Sequence, residues 1–186
     1  MNVAGVLLAA GGGRRFGMPK ALVRHQGRLF VEHAAGVLHD GGCAPVVVVL
    51  GAAAGEVRAT ASLAGSSLVD NPEWTTGMGS SLRVGLGAAA GAVAALVLPV
   101  DTPGVTAAAV RRFVSLAAPD VLARASYHGQ PGHPVLIGRE RWADVTASAV
   151  GDAGARHYLA AHAPIDVPCE DIAVGDDVDR PEDLAR

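Results

Sequence analysis

The sequence predicts an α/β fold: a three-layer α/β/α sandwich around a mostly parallel sheet of about seven strands. Three observations carry that prediction. Short apolar runs alternate along the chain with longer Ala-rich stretches whose apolar residues recur at three- and four-residue intervals. The runs at 3–10, 45–50 and 93–99 are apolar throughout instead of alternating with polar residues, as in strands of a buried, mainly parallel sheet. The 24 glycines and many alanines let helices lie close against a sheet, and 186 residues are enough for one domain, read as residues 1–186.

The first strand is expected over residues 3–10, an apolar run that stops at Gly11, and the helical spacing of residues 29–40 follows it. A Pro-Val-Val-Val-Val-Leu strand at 45–50, a helix at 53–63 and a short strand at 67–69 come next. Ser80 or Ser81 can cap a helix over 80–90. A fourth strand spans 93–99, and Thr106 can cap the helix at 106–117. Strands at 121–126 and 134–137, helices at 139–148 and 153–162, and a last strand at 165–167 complete the series. The breaks at 11–20, 71–81, 99–104, 129–134, 151–156 and 176–183 mostly follow strand ends, the edge where open α/β sheets bind ligands.

Composition narrows the function. A charged fraction of 18% and a net charge of −3 argue against a basic surface for nucleic acid. Cys43 and Cys169 form no CxxC pair, so a reducing compartment suits them and no structural zinc is expected. The apolar start lacks a basic leader and is too short for a signal sequence or a membrane span, so a cytoplasmic protein without a membrane partner is expected. No repeat, low-complexity linker or run of like charge interrupts the chain.

The loop after the first strand is the most informative segment. Gly11, Gly12 and Gly13 are followed by Arg14, Arg15 and Lys20, and Lys20 is the only lysine in the chain. Glycines let backbone N–H groups face an anion closely, and the cations offset its charge, so the segment suits a polyphosphate; alternatively it is only a tight connection with solvated cations. A lone lysine amid many arginines hints at a need for a compact, flexible point charge. Gly11, Gly13 and Gly17 do not give the GxGxxG spacing of a dinucleotide site, and Met18 and Pro19 stand where a Walker A loop needs Lys and Ser/Thr.

The segment Leu8-Ala9-Ala10-Gly11-Gly12-Gly13-Arg14-Arg15-Phe16-Gly17-Met18-Pro19-Lys20 resembles the nucleotidyltransferases that add a nucleotide to the molybdenum cofactor, particularly the molybdenum cofactor cytidylyltransferase group. The resemblance implies a Rossmann-like nucleotidyltransferase domain whose loop, from Leu8, Ala9 and Ala10 to Lys20, cradles the nucleotide. Gly13 stands where that family usually has a serine, and Phe16 where it has a methionine. The Ala-Ala-Gly opening resembles the cytidylyl branch more than the guanylyl branch.

Asp101 emerges after the apolar fourth strand, where a carboxylate is costly unless it meets a cation; it is either a Mg²⁺ ligand or a helix cap, and Thr106 can take the cap instead. Near the end, Asp179 and Glu182 have capping-box spacing, with Pro181 in the first turn. Asp177 can then face the other way, as the second Mg²⁺ carboxylate, with Asp179 kept as a further metal candidate. The Asp-Val-Asp-Arg-Pro-Glu-Asp-Leu ending resembles the metal-holding segment of the same family.

Asn71, Gly77, Met78, Ser80 and Ser81 lie in a loop that is either a plain helix cap or, by its likeness to the family's Asn-Pro-x-Trp segment, part of the nucleotide and cofactor contacts. His133 is either a packed residue or an acceptor contact; Asp152 can cap the next helix and Arg156 can reach the acceptor. Together these imply transfer of a nucleotide from an NTP, CTP favoured, to a phosphorylated acceptor of molybdopterin type, with Arg15, Lys20 and Asp101 catalytic. A molybdoenzyme or its chaperone is an implied partner. Another sugar- or alcohol-phosphate acceptor, or a diverged redox or binding member, is the alternative.

Overall fold

The computed structural model describes residues 2–185. Seven strands form one sheet: β1 (Val3–Ala9), β4 (Val46–Leu50), β5 (Ser66–Asp70), β6 (Ala94–Pro99), β7 (Leu122–Tyr127), β8 (Gln130–Gly138) and β9 (Ile165–Pro168). Their order is β5-β4-β1-β6-β8-β7-β9, and β8 alone runs against the rest, through its antiparallel pairs with β6 and β7. The expected mostly parallel, seven-stranded sheet is therefore present. Two differences follow from turn chemistry. A separate two-residue pair, β2 (Arg24–His25) and β3 (Arg28–Leu29), is too short to leave a period in the sequence. β8 starts at Gln130, inside the expected 129–134 break, because His128 and Gly129 both take positive φ and close a two-residue hairpin.

The helices are α1 (Phe30–Asp40), α2 (Ala54–Thr60), α3 (Met78–Ala88), α4 (Ala107–Val114), α5 (Trp142–Ser148) and α6 (Arg156–His162). Side-chain alternation along β4 divides the core: Val46, Val48 and Leu50 join Phe30, Leu38 and Phe113 on the α1 and α4 face, whereas Val47 and Val49 join Leu82, Leu86 and Leu159 on the α3 and α6 face. Each fully buried side chain of this size contributes about 1.5–3 kcal/mol of transfer free energy. Small residues bring the layers together as expected: a Cβ on Gly85 of α3 would lie 2.4 Å from Val6 Cγ1 of β1.

The order of strands also places the site. The chain leaves β1 toward β4 on one side and returns to β6 on the other, so the loops after β1 and β6 open at a topological switch point.

Candidate functional site

The loop after β1 is shaped by its glycines. Gly13 takes φ +62°, and a Cβ there would lie 1.8 Å from the Met18 carbonyl oxygen, while the Gly17 N–H donates to the Gly13 carbonyl at 2.8 Å. The loop thus closes on itself, and any side chain at this position would force it open. Leu8, Ala9 and Ala10 have buried side chains and can offer a ligand only backbone; Gly11 is exposed, and so are Arg14 and Arg15. A 3-10 turn, Lys20–Leu22, then anchors the loop through buried Ala21 and Leu22 and aims Lys20 across the switch point.

Asp101 follows β6, held in place by the Val100 N–H donating to the Leu8 carbonyl at 3.1 Å. It does not cap α4: the Thr106 hydroxyl accepts from the Ala109 N–H at 3.2 Å and does that work. Lys20 Nζ donates to Asp101 Oδ2 at 2.7 Å and to Asp179 Oδ1 at 2.6 Å, and Arg15 donates to Asp179 Oδ2 at 3.0 Å. Burial pulls the Lys20 ammonium down, but its hydrogen bonds to both carboxylates and their charges outweigh it and its pKa is raised. The bond from Lys20 holds Asp179 below the usual carboxylate range.

One expectation for the acidic segment is corrected here. The Asp179–Glu182 capping box does not form; Asp183 accepts the Asp179 and Arg180 N–H groups at 3.1 and 2.9 Å, which frees the Asp179 carboxylate for Lys20 and Arg15. The segment is pinned by the Val174 N–H on the Gly104 carbonyl (3.0 Å) and the Val178 N–H on the Asp101 carbonyl (2.8 Å). Val178, between Asp177 and Asp179, is buried. Although Asp177 keeps solvent access, the surrounding protein and then the charges of Asp101 and Asp179 push its carboxyl up to about 6.

The donor chemistry suits a hard divalent cation, which takes oxygen ligands and often only one or two carboxylates beside its waters. Asp101, Asp177 and Asp179 are the residues that could hold it. Among the described residues no three acidic, His or Cys side chains already form a ligand set. Lys20 stands between two of the carboxylates instead.

The loop between β5 and α3 is built differently. Asn71 Nδ2 donates to Ser80 Oγ (2.8 Å) and Ser81 Oγ (3.0 Å), its Oδ1 accepts the Glu73 N–H (3.0 Å), and Ser80 Oγ donates to the Glu73 and Gly77 carbonyls. All three side chains are buried. The serines do not cap α3; Gly77 is its N-cap residue, at φ +112°. A Cβ on Gly77 would lie 2.4 Å from the Gly151 carbonyl carbon, and Met78 packs beside Gly154, so this loop docks against residues 151–154. Asp152 does not cap α6, whose N-cap residue is Ala155. His133 lies within β8, where burial first, and Arg156 second, lower its pKa against the opposing charge of Asp101, leaving a neutral imidazole at neutral pH. Asp101, His133 and Arg156 are thus electrostatic neighbours.

A cavity of about 580 Å³ is lined by His25, Gln26, Arg28 and His33 as well as Asp176 and Asp177. It omits the glycine loop and Lys20, and the charge cluster is the better-built site. Outside the acidic segment, the cavity residues drew no attention in the sequence; the His-Gln-Gly-Arg turn, with Gly27 at positive φ, is the one local signal of the hairpin that walls it.

The MobA-like NTP transferase domain model matches residues 5–165. The chain belongs to this family. The family supports transfer of a nucleoside monophosphate as the enzyme's chemistry, and similar solved structures support the Rossmann-like fold. It is 40% identical to nicotine blue oxidoreductase of Paenarthrobacter nicotinovorans, over 99% of this chain and 95% of that one. A shorter match, 54% identical over 21% of this chain and 20% of the relative, is to a probable molybdenum cofactor guanylyltransferase of Bacillus cytotoxicus. Among solved structures, Rv0371c of Mycobacterium tuberculosis has a TM-score of 0.85 at 27% identity, covering 100% of this chain and 97% of that one, and it has also been solved in complex with manganese. Divalent-metal use by such proteins agrees with the carboxylates described above. No helix among the described residues is long and apolar enough to cross a membrane.

Proposed function

We propose that this chain is a Mg²⁺-dependent cytidylyltransferase that moves CMP from CTP to the phosphate of a molybdopterin-type acceptor. An acceptor phosphate oxygen attacks the α-phosphorus, the bond from that phosphorus to the bridging oxygen of the β-phosphate breaks, and pyrophosphate leaves. The observation that carries the reading is the meeting, at the switch point, of a glycine-closed loop bearing Arg15 and Lys20 with the Asp101 and Asp179 carboxylates. Lys20 and Arg15 bind the β- and γ-phosphates and stabilise the charge that grows on the leaving pyrophosphate. The loop from Leu8 to Arg14 lays its backbone along the nucleotide. Asn71, Ser80 and Ser81 hold the Gly77–Met78 corner in place, and His133 and Arg156 orient the acceptor opposite it. Asp101 and Asp177, with Asp179 as a further candidate, would hold a Mg²⁺, which would supply Lewis-acid charge neutralisation there.

The Ala-Ala-Gly opening favours CTP. The short guanylyltransferase match makes GTP the competing donor, and the full-length oxidoreductase match supports a second reading, a redox enzyme using a flavin or a nicotinamide. The absent GxGxxG pattern weighs against that second reading.

Thermal-shift measurements with CTP, GTP, ATP, UTP, FAD, NADH and NADPH, with and without Mg²⁺, separate these readings. A ligand at 100 times its dissociation constant adds about 2.7 kcal/mol. The largest shift is expected from CTP with Mg²⁺, accompanied by exchange of labelled pyrophosphate into CTP. Stabilisation by a flavin or nicotinamide with no response to any NTP would replace the transferase reading with the redox one.

A further inference from the structure

We propose that Lys20 holds the cation position in the ligand-free protein and yields it only to a metal that arrives together with a triphosphate. This rests on the nucleotidyl-transfer reading and adds an order of binding to it.

Lys20 Nζ sits 2.7 Å from Asp101 Oδ2 and 2.6 Å from Asp179 Oδ1, with only 16% of its side chain exposed. Arg15 takes the other Asp179 oxygen at 3.0 Å. One ammonium therefore takes an oxygen from two of the three carboxylates that could hold a hard divalent ion. These are charge-assisted hydrogen bonds, the stronger class, and a bare metal ion would have to compete with them for those oxygens and leave the ammonium beside a dication. A metal carried on a triphosphate exchanges partners on both sides at once: the carboxylates receive a cation, and Lys20 and Arg15 receive phosphate oxygens.

The local build permits that exchange without backbone change. Ala21 and Leu22 are buried and fix the turn that carries Lys20, while the four-carbon stem ends in a freely rotating, three-donor ammonium. A planar guanidinium at this position would have a narrower choice of partners. The inference also gives the lone lysine of an arginine-rich chain a reason: it must bind carboxylates in one state and phosphates in the other.

Because Lys20 is the only lysine, protein grown on lysine labelled with ¹³C at Cε yields one side-chain NMR resonance, in the wild-type chain. Millimolar Mg²⁺ alone is expected to leave that resonance in place, and Mg²⁺ with inorganic tripolyphosphate to move it. Lys20→Met is expected to bind Mn²⁺ about ten-fold more tightly than wild type without any nucleotide, read from the loss of the free-ion EPR signal. If Mg²⁺ alone moves the resonance as far as the mixture does, or if Lys20→Met gains no Mn²⁺ affinity, the place-holding role is overturned while the triphosphate site stands. If neither tripolyphosphate nor any NTP, with Mg²⁺, moves the resonance, the nucleotidyl-transfer reading itself falls. Should Lys20→Met fail to fold, the wild-type resonance decides alone.

Discussion

Two polar clusters lie at the same sheet edge, and they are made in opposite ways. The Asn71, Ser80 and Ser81 knot is neutral, buried and local, its partners nine and ten residues apart in sequence. The Arg15, Lys20, Asp101 and Asp179 cluster is charged and partly open, with partners 81 to 164 residues apart. Asn71 and the two serines bond to one another and to backbone groups of their own loop, and so set its shape. The charged groups can exchange partners with a ligand. Polar residues on one ligand-facing edge thus separate into those that position and those that bind, a division that residue type alone does not reveal.

The largest effect that would test this contrast is on catalysis. Lys20→Ala is expected to lower turnover in the pyrophosphate-exchange assay by about 10²–10³, or about 2.7–4 kcal/mol of transition-state stabilisation. Activity retained within a few-fold would move the chemistry away from the charged cluster. Asn71→Ala is expected to act on the fold instead. It removes three hydrogen bonds and leaves buried hydroxyls short of a donor, at a cost of about 2–3 kcal/mol in urea denaturation. A large loss of nucleotide affinity in the folded variant, with its urea midpoint unchanged, would erase the distinction between the two clusters.

Asp177→Asn should have the smallest effect, on the order of 1 kcal/mol or less because the residue reaches solvent. The folded-state pKa of about 6 lies above the ordinary 3.8, so between those values the folded protein binds more protons than the unfolded one. Wild-type stability therefore falls as pH rises through that window. The variant escapes the penalty: it should melt higher than wild type at pH 7 and with no such gain near pH 4. A gain that persists at acid pH would assign the effect to packing instead.

Much of this architecture was legible in the sequence. The central strands β1, β4 and β6 were readable from apolar runs because both sheet faces are covered there, and Thr106 was readable as a cap. Lys20 and Asp101 were legible as residues leaving the ends of β1 and β6, and the structure brings them to 2.7 Å. The acidic segment was misread because Asp-x-x-Glu spacing is a local signal. The decision between capping and pairing was made by Asp183, by the buried Val178 and by two backbone bonds to residues 101 and 104. The 3-10 turns at Arg139–Arg141 and Gly151–Ala153 shortened two expected helices, since pattern alone does not distinguish them from the first turn of an α-helix. The β2 and β3 hairpin left no periodic trace, and the cavity behind it went unseen for that reason.

The stretch from Val174 to Asp183 crosses to the β6–α4 loop on a few main-chain contacts and carries half of the acid groups that face Lys20. Fraying of that strap alone would strand the ammonium without its second partner while the sheet and its two cores remained whole. Loss of function on warming or in mild denaturant would then run ahead of the cooperative melt, and the protein would fall silent before it came apart.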